Sequence, residues 1–523
     1  MHRVSPSLGA LVGGLMAAAL IAVLYVGRQV AGLPFVPFDV VDWLARVLPG
    51  RVITVGIDAM IRLIGALGLG PTSSVAKSLE RLLGIVLVLG AGAVAGVAVA
   101  WAARRTRATW KAGAAVGAVV LVPVLALERA HGAGALVWLA AAVLTWGVVS
   151  GQLVAPVPER PGQTAQESAS LARRRAARTL GGSLVFALVA WGLGRGLGSG
   201  FSRRRVDSGA GRPLAGIPPP AALDVQAGPS EVVPGTRAAI TPNSRFYRID
   251  IDTSPPVLEE ARWSLTPQGL FDRPRSLGLK DIMARPPVTL AITQECISNP
   301  VGGDLIGTTR YTGARLRDLL VEMGLRPSAR ALQLEAADGF YESVTMADML
   351  DPRTLLVYGM NGETLPIEHG FPLRIYIPNR YGMKQPKWIT RMEAIDHDGR
   401  GYWVDRGWSK EARPQITSVI DTVAVERAEG GRIPVGGIAW AGDRGIQGVQ
   451  IQVDGGPWSD ARIVPPLVGP LAWSLWRYDW PAQRGRHTFR VRAIDGTGTF
   501  QVEKQEDPYP DGATGYYSVT VSV

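Results

Sequence analysis

The first 200 residues and the rest of the chain carry different patterns of hydrophobic and polar positions. The first part contains apolar stretches that approach the roughly 20 residues a helix needs to cross a bilayer. Between the first two stretches lies Phe35–Gly70, which is too charged to span and is expected to be amphipathic structure at the membrane interface. The pattern predicts five spans, at Leu8–Val26, Leu82–Ala102, Ala112–Leu127, Ala135–Val154 and Leu180–Leu197.

The remaining chain has the shorter periodicities of a globular protein. Up to about Ala424 strands and helices mix, with Pro287–Ile292 typical of a buried strand and Ala314–Met323 of an amphipathic helix. Beyond Ala424, short alternating strands separated by turns predict an immunoglobulin-like β-sandwich. The predicted organisation is an all-α transmembrane domain (1–200), a Pro/Gly-rich linker (201–241), an α+β domain (242–424) and the sandwich (425–523).

The distribution of charge predicts how the spans are oriented in the membrane. The net charge is +11, but the arginines cluster at the ends of apolar runs, which favours membrane edges over nucleic acid. The basic loops after the second and fourth spans place the N-terminus in the cytoplasm and the two soluble domains outside the cell membrane, although Arg203–Arg205 oppose this orientation. Arg173–Arg175, just before the fifth span, resemble a twin-arginine export signal, with a simple positive-inside cluster as the alternative.

Cys296 is the single cysteine of the chain. It rules out an intramolecular disulfide and a Cys/His zinc cluster, which leaves a small buried apolar residue or a functional thiolate. The residue follows the predicted strand Pro287–Ile292 and precedes a loop with Asn299 and Pro300, a place where ligands and nucleophiles often lie. The membrane part holds only His2 and His131, so no haem is predicted there.

Several sequence blocks follow Cys296 in a fixed order. They are Thr309–Leu316, Met360–Glu363, His369–Arg374, Lys387–Trp388, Gly437–Trp440 and Asp454–Gly456. Together they resemble the sulfite oxidase family of molybdopterin-dependent oxidoreductases over roughly Pro242 to Val523, in a membrane-anchored, polytopic form of the actinobacterial type. The resemblance implies a molybdenum–molybdopterin cofactor whose metal is bound by the thiolate of Cys296, and a soft thiolate suits such a metal.

The resemblance also implies roles for further residues. An arginine on an otherwise apolar strand, such as Arg374, would be costly without a ligand, whereas Asp338 and Gln385 also have a purely structural interpretation. The implied cofactor-binding residues are Tyr247, Arg248, Asp338, His369, Arg374, Gln385, Pro386 and Lys387. The implied catalytic residues are Cys296, Arg248, Arg444 and Tyr381.

The chain departs from the sulfite oxidases at the substrate side. Their cysteine is followed by an Asn-Arg-Arg run, where this chain has Asn299-Pro300-Val301. A histidine of the family aligns with Asp250, and the family's active-site tyrosine falls within Arg406–Trp408. A dianion is best held by several converging cations, so the loss of one disfavours sulfite. Tyr381–Lys384 resembles instead the corresponding stretch of periplasmic methionine sulfoxide reductases.

These features lead to a functional hypothesis. The chain is expected to be a membrane-anchored molybdenum oxidoreductase that carries out two-electron oxygen-atom transfer on a small S- or N-oxide. The alternatives are a sulfite oxidase or dehydrogenase, and a non-enzymatic extracytoplasmic interaction domain that binds the cofactor. The expected partners are a small-molecule substrate, a cytochrome or quinone, the lipid bilayer, the twin-arginine export machinery and a second copy in a homodimer, but no nucleic acid.

Overall fold

A computed structural model describes residues 5–106, 108–127, 132–155, 181–182, 192, 208–214, 231–465 and 468–523. The chain divides into two compact units. The first comprises Met1–Leu48, Lys77–Val206 and Asp252–Ser254, and the regular elements among its described residues are helices. The second comprises Pro49–Ala76, Asp207–Ile251 and Pro255–Val523, and contains the strands.

Six helices cover the N-terminal part of the chain. They are α1 (Pro6–Ala31), α2 (Val36–Val47), α3 (Gly50–Leu67), α4 (Thr72–Ala103), α5 (Thr109–Leu127) and α6 (Ala133–Leu153). Four of them, α1, α4, α5 and α6, are long and apolar enough to cross a membrane and coincide with the first four predicted spans. The fifth, Leu180–Leu197, lies outside the described residues apart from positions 181, 182 and 192, and Arg173–Arg175 lie outside them entirely.

Glycines let the helices of the first unit approach closely. A Cβ added at Gly13 of α1 would lie 2.2 Å from the carbonyl oxygen of Gly92 in α4. A Cβ added at Gly113 of α5 would lie 2.1 Å from the carbonyl oxygen of Gly147 in α6. Helices in a bilayer associate through such close packing because lipid supplies no hydrophobic driving force between them.

An antiparallel sheet, a mixed sheet and short helices form the centre of the second unit. The first sheet contains β2 (Val288–Glu295), β3 (Ile306–Arg315), β6 (Leu355–Met360), β7 (Glu363–Thr364) and β8 (Arg374–Tyr376), all antiparallel. The second has the order β1 (Thr266–Gly269), β9 (Ile389–Ile395), β4 (Ala331–Ala336) and β5 (Tyr341–Thr345), with β1 parallel to β9. The helices are α7 (Leu279–Met283), α8 (Leu316–Glu322) and α9 (Met346–Met349). The predicted strand Pro287–Ile292 and the predicted helix Ala314–Met323 correspond to β2 and α8.

The C-terminal strands form a sandwich-like arrangement. They are β10 (Thr417–Val423), β11 (Arg432–Trp440), β12 (Ile446–Val453), β13 (Ser459–Ile463), β14 (Ser474–Pro481), β15 (Arg486–Asp495) and β16 (Tyr517–Ser522). All pairs are antiparallel in the order β10-β11-β14-β13-β12-β15-β16. Alternate inward residues, among them Ile433, Trp476 and Phe489, form its core. Assignment to the immunoglobulin type stays a prediction.

Parts of the predicted linker, 201–241, belong to the second unit and pack within it. Leu214 is buried in the core that these two sheets share, and its amide donates to the carbonyl of Gly362. Val233 and Ile240 are also buried. These two described stretches, 208–214 and 231–241, are therefore held by the same apolar burial that stabilises the sheets.

Candidate active site

Cys296 lies directly after β2, where the chain turns back toward β3. Its amide donates to the carbonyl of Leu305 at 2.9 Å, and the amide of Asn299 donates to its carbonyl at 2.9 Å. The side chain is buried, and Ser298 Oγ lies 3.0 Å from Sγ. Burial raises the pKa of the Cys296 thiol, the hydrogen bonds of Ser298 oppose this, and a bound metal would favour the thiolate. The fold therefore presents one rigidly held sulfur on a loop.

A buried carboxyl group adjoins this sulfur. Glu295 is the last residue of β2, and the amide Nδ2 of Asn299 donates to it at 2.7 Å. Burial raises the pKa of Glu295 to about 7. Glu295 was not among the predicted site residues, although a glutamate that ends an otherwise uncharged strand was a signal that could have identified it.

An aromatic cluster packs beside the same loop. Ile297, Tyr381, Met383, Trp408 and Ala412 share one buried cluster. Burial, and next the charge of Glu295, raise the pKa of Tyr381 well above its ordinary value, and the charge of Cys296 adds to this. The hydroxyl of Tyr381 accepts a hydrogen bond from the amide of Gln415 at 3.0 Å.

Trp408 was not among the predicted site residues. Its indole Nε1 is buried and has no hydrogen-bond partner, and the residue lies in the stretch where the family's tyrosine was expected. A buried donor without a partner costs roughly 1–3 kcal/mol, so this N–H is suited to a ligand.

Arg374, at the start of β8, is a buried cation without a carboxylate. Its Nη2 donates to Gln294 Oε1 at 3.1 Å, and Tyr311 donates to the same oxygen at 3.0 Å. Its Nη1 donates to the carbonyl of His369 at 3.3 Å. Within the described part of the chain no carboxylate forms an ion pair with Arg374, and its Nε has no partner.

Asp250 joins two of the predicted cofactor ligands. Its buried carboxylate accepts from Arg248 Nε at 2.6 Å and from Lys387 Nζ at 2.5 Å. Burial lowers the pKa of Lys387 to about 8, although the Asp250 charge opposes this. Burial raises the pKa of Asp338 to about 6, and the charges of Lys387 and Asp250 also act on this carboxyl group. Arg248, Lys387 and Asp338 therefore lie together around the carboxylate of Asp250, which was not among the predicted ligands and stands where the family has a histidine.

The remaining predicted cofactor ligands surround Arg374. The Nε2 of His369 lies 3.1 Å from the carbonyl oxygen of Asn243, and burial lowers the pKa of His369 to about 4. Gln385 donates through Nε2 to the carbonyl of Arg380 at 2.8 Å, while its buried Oε1 has no partner. The carbonyl of Pro386 accepts from the amide of Ile375 at 3.2 Å, which ties this segment to β8.

Of the remaining predicted residues, Tyr247 lies near the sulfur of Cys296, whereas Arg444 is bound to an acidic residue. Tyr247 is buried, and burial followed by the charge of Cys296 raises its pKa well above the ordinary value, which places it near the sulfur. Arg444 instead forms an ion pair with Asp495 at 2.8 Å, and its Nη2 donates to the carbonyl of Pro414 at 3.1 Å. Its charge still reaches Tyr381, but its Nε and Nη2 are engaged by Asp495 and by the carbonyl of Pro414.

These residues fit a bound anionic cofactor. The unpartnered Nε of Arg374 suits a phosphate, and the unpartnered Oε1 of Gln385 suits the N–H groups of a pterin. Among the described residues no cluster of three His, Cys, Asp or Glu side chains could hold a metal. A metal at Cys296 would therefore take most of its other ligands from the cofactor, as the resemblance implies.

Comparison with known proteins decides the family. A family model described as "Oxidoreductase molybdopterin binding domain" matches residues 252–403. The chain is 30 % identical over 274 residues to "Sulfite oxidase" of Arabidopsis thaliana, which covers 42 % of this chain and 70 % of that protein. The chain belongs to the sulfite oxidase family. It is a molybdopterin-dependent oxidoreductase, which excludes the non-enzymatic alternative.

Other family members extend the comparison. "Sulfite oxidase, mitochondrial" of Homo sapiens is 26 % identical over 334 residues, which cover 54 % of this chain and 59 % of the human protein. The chain thus spans less than two thirds of this relative. The crystal structure of the sulfane dehydrogenase SoxCD from Paracoccus pantotrophus matches with a TM-score of 0.50 and 24 % identity, over 55 % of this chain and 82 % of that one. This likeness supports the fold of the second unit.

Proposed function

We propose that this sulfite oxidase family member is a membrane-anchored enzyme that transfers an oxygen atom, with two electrons, to or from a small S- or N-oxide couple. The observation that carries the proposal concerns the described cations whose charge acts on Glu295 or Tyr381 beside Cys296. These cations, Arg237 and Arg444, are each paired with a carboxylate, and Arg374 is assigned to the cofactor. The described groups that shift the pKa of Cys296 are Ser298 and Glu295, and neither is a cation. The position of the second family arginine after the cysteine is occupied by Val301.

The two arginines that could replace it are already paired. Arg248 is bound to Asp250, and Arg444 is bound to Asp495. A sulfite dianion requires several converging cations, and drawing these arginines away would leave buried carboxylates exposed to its charge. An uncharged oxide does not incur this cost.

Trp408 supplies the neutral contact that an oxide needs. An indole N–H only donates, so it matches the oxygen of an S- or N-oxide, which is a strong acceptor without a net molecular charge. When bound, the molybdenum cofactor supplies the two-electron redox chemistry. The chain's part is to bind the metal through Cys296, hold the cofactor through Arg374, Gln385 and the residues around them, and orient the oxide.

Steady-state assays of the full chain in detergent test the proposal. With reduced viologen as donor we expect turnover of dimethyl sulfoxide, methionine sulfoxide or trimethylamine N-oxide, and little sulfite oxidation with cytochrome c. Trp408→Phe removes one hydrogen bond worth about 1 kcal/mol or more, so kcat/KM for the oxide should fall about five-fold or further. Val301→Arg should lower the KM for sulfite. Efficient sulfite turnover by the unmodified chain would overturn the proposal.

Export and electron supply complete the proposal. The cofactor is inserted in the cytoplasm, so the folded second unit would cross by the twin-arginine route, which Arg173–Arg175 would direct. Replacing these arginines by lysine should keep the soluble domains inside, as measured by protease accessibility in spheroplasts, and unchanged accessibility would argue against this route. The electron partner is a cytochrome or a quinone, and the domain 425–523 is a candidate homodimer interface.

A further inference from the structure

Helix α3 exposes an apolar face. Val52, Val55, Leu63 and Leu67 are 53 %, 67 %, 51 % and 60 % exposed. Their spacing of three, eight and four residues places them on one side of a helix. Contiguous exposed apolar surface of this kind usually marks contact with a membrane or a protein.

Helix α3 and the first residue of α4 contact the rest of the second unit at three points. At the start of α3, a Cβ added to Gly50 would lie 2.6 Å from the Cα of Arg406, so the two backbones touch. Toward its end, Arg62 forms an ion pair with Asp507 at 3.0 Å. Just beyond it, the amide of Thr72 donates to Asp304 at 2.9 Å.

Each of the three contacted residues, Asp304, Arg406 and Asp507, lies in a loop next to Cys296 or to the aromatic cluster beside it. Asp304 precedes Leu305, whose carbonyl accepts from the Cys296 amide. Arg406 is two residues before Trp408 in the aromatic cluster. Asp507 directly precedes the turn Pro508–Gly512, and a Cβ added at Gly512 would lie 2.3 Å from the Tyr381 hydroxyl. Helix α3 thus contacts two of the loops near the candidate site through Gly50 and Arg62, and the first residue of α4, Thr72, contacts the third.

We infer that the exposed face of α3 lies in the surface of the lipid bilayer, so that the loops around Cys296 face the membrane. Chain continuity argues for lipid, because the candidate span α4 begins at Thr72, five residues after α3 ends at Leu67. Arg51, beside the apolar face, is exposed and suits an anionic headgroup. Substrate and electron donor would then reach the site from the membrane surface, within reach of a lipid-soluble carrier.

Site-directed spin labelling can test this without any turnover. The native cysteine is buried, so Val55→Cys supplies one reactive thiol on the α3 face. Val321→Cys on α8 is a matched control, because Val321 is 69 % exposed and Val55 is 67 % exposed. The full chain is labelled with a nitroxide and reconstituted into vesicles of phosphatidylcholine and phosphatidylglycerol, and collision with oxygen and with a water-soluble nickel complex is measured.

We expect the label at position 55 to favour oxygen over the nickel complex, and the label at 321 to show the reverse. Equal access of nickel to both positions would overturn the inference. So would a position 55 label that neither reagent reaches, since that result indicates a protein partner or a second copy on α3. Molybdenum content equal to that of the unmodified chain would show that both variants fold. The outcome is independent of which substrate the enzyme uses.

Discussion

Asp250→Asn tests whether the buried carboxylate is what holds Arg248 and Lys387 in place. The Asp250 side chain is 0 % exposed, while those of Arg248 and Lys387 are 15 % and 13 % exposed. An asparagine keeps the shape and one acceptor oxygen but removes the charge that both cations face. The two cations would then repel each other in a poorly solvated site.

The size of the effect follows from this burial. Removing one partner of a buried ion pair typically costs about 3–5 kcal/mol, because the other charge is left uncompensated. Both cations retain slight access to water, so the lower end of that range, about 3 kcal/mol, is the appropriate expectation. For a domain of this size, each kcal/mol lowers the melting temperature by about 2–4 °C, so the shift should be about 6–12 °C.

The assay is a thermal melt of the full chain in detergent, without added cofactor, followed by tryptophan fluorescence. Asp398→Asn is the matched control, because Asp398 pairs with Lys410 at 2.6 Å but is 82 % exposed. Exposed ion pairs contribute little to the free energy of unfolding, so this variant should have the same melting temperature as the unmodified chain. If Asp250→Asn also melts with the unmodified chain, then Asp250 does not organise the cluster and the reasoning fails.

Two further predictions concern the metal and the pH dependence. Cys296→Ser removes one ligand of the metal, so the molybdenum content measured by mass spectrometry should fall below that of the unmodified chain, while the melting profile of the cofactor-free protein stays intact; an unchanged molybdenum content would contradict a metal bond to Cys296. His369 has its pKa lowered to about 4 by burial, so the unfolded chain takes up its proton first as the pH falls. Stability contributed by the neutral His369 should therefore be lost between about pH 6.5 and pH 4. His369→Gln should have a flatter melting temperature over this window, and parallel profiles would contradict the assignment.

Much of the fold was predictable because its signals are local. Span length and apolar composition identified α1, α4, α5 and α6, and the alternation after Ala424 anticipated the antiparallel strands. The sheet order was not predictable. The parallel pair β1 and β9 joins residues more than 120 positions apart, and no local pattern records which strands meet.

The site was predicted less completely, for a related reason. The resemblance identified Cys296 and the surrounding ligand types, since residue type and spacing carry that information. It could not show that Arg444 is paired with Asp495, or that Asp250 bridges two cations that are separated by about 140 positions. Partners so distant in sequence become visible only once the chain is folded.

Charge pairing separates the predicted anion ligands into two groups. Arg248 and Lys387 share a carboxylate, whereas Arg374 is 3 % exposed and has only neutral acceptors in the described part of the chain. A buried guanidinium in that position weakens the cofactor-free fold, and a phosphate bound there would compensate its charge. Anything that binds only the folded state raises its stability. The cofactor-loaded domain should therefore be markedly more stable than the empty one, which would favour loading before the domain is exported in folded form.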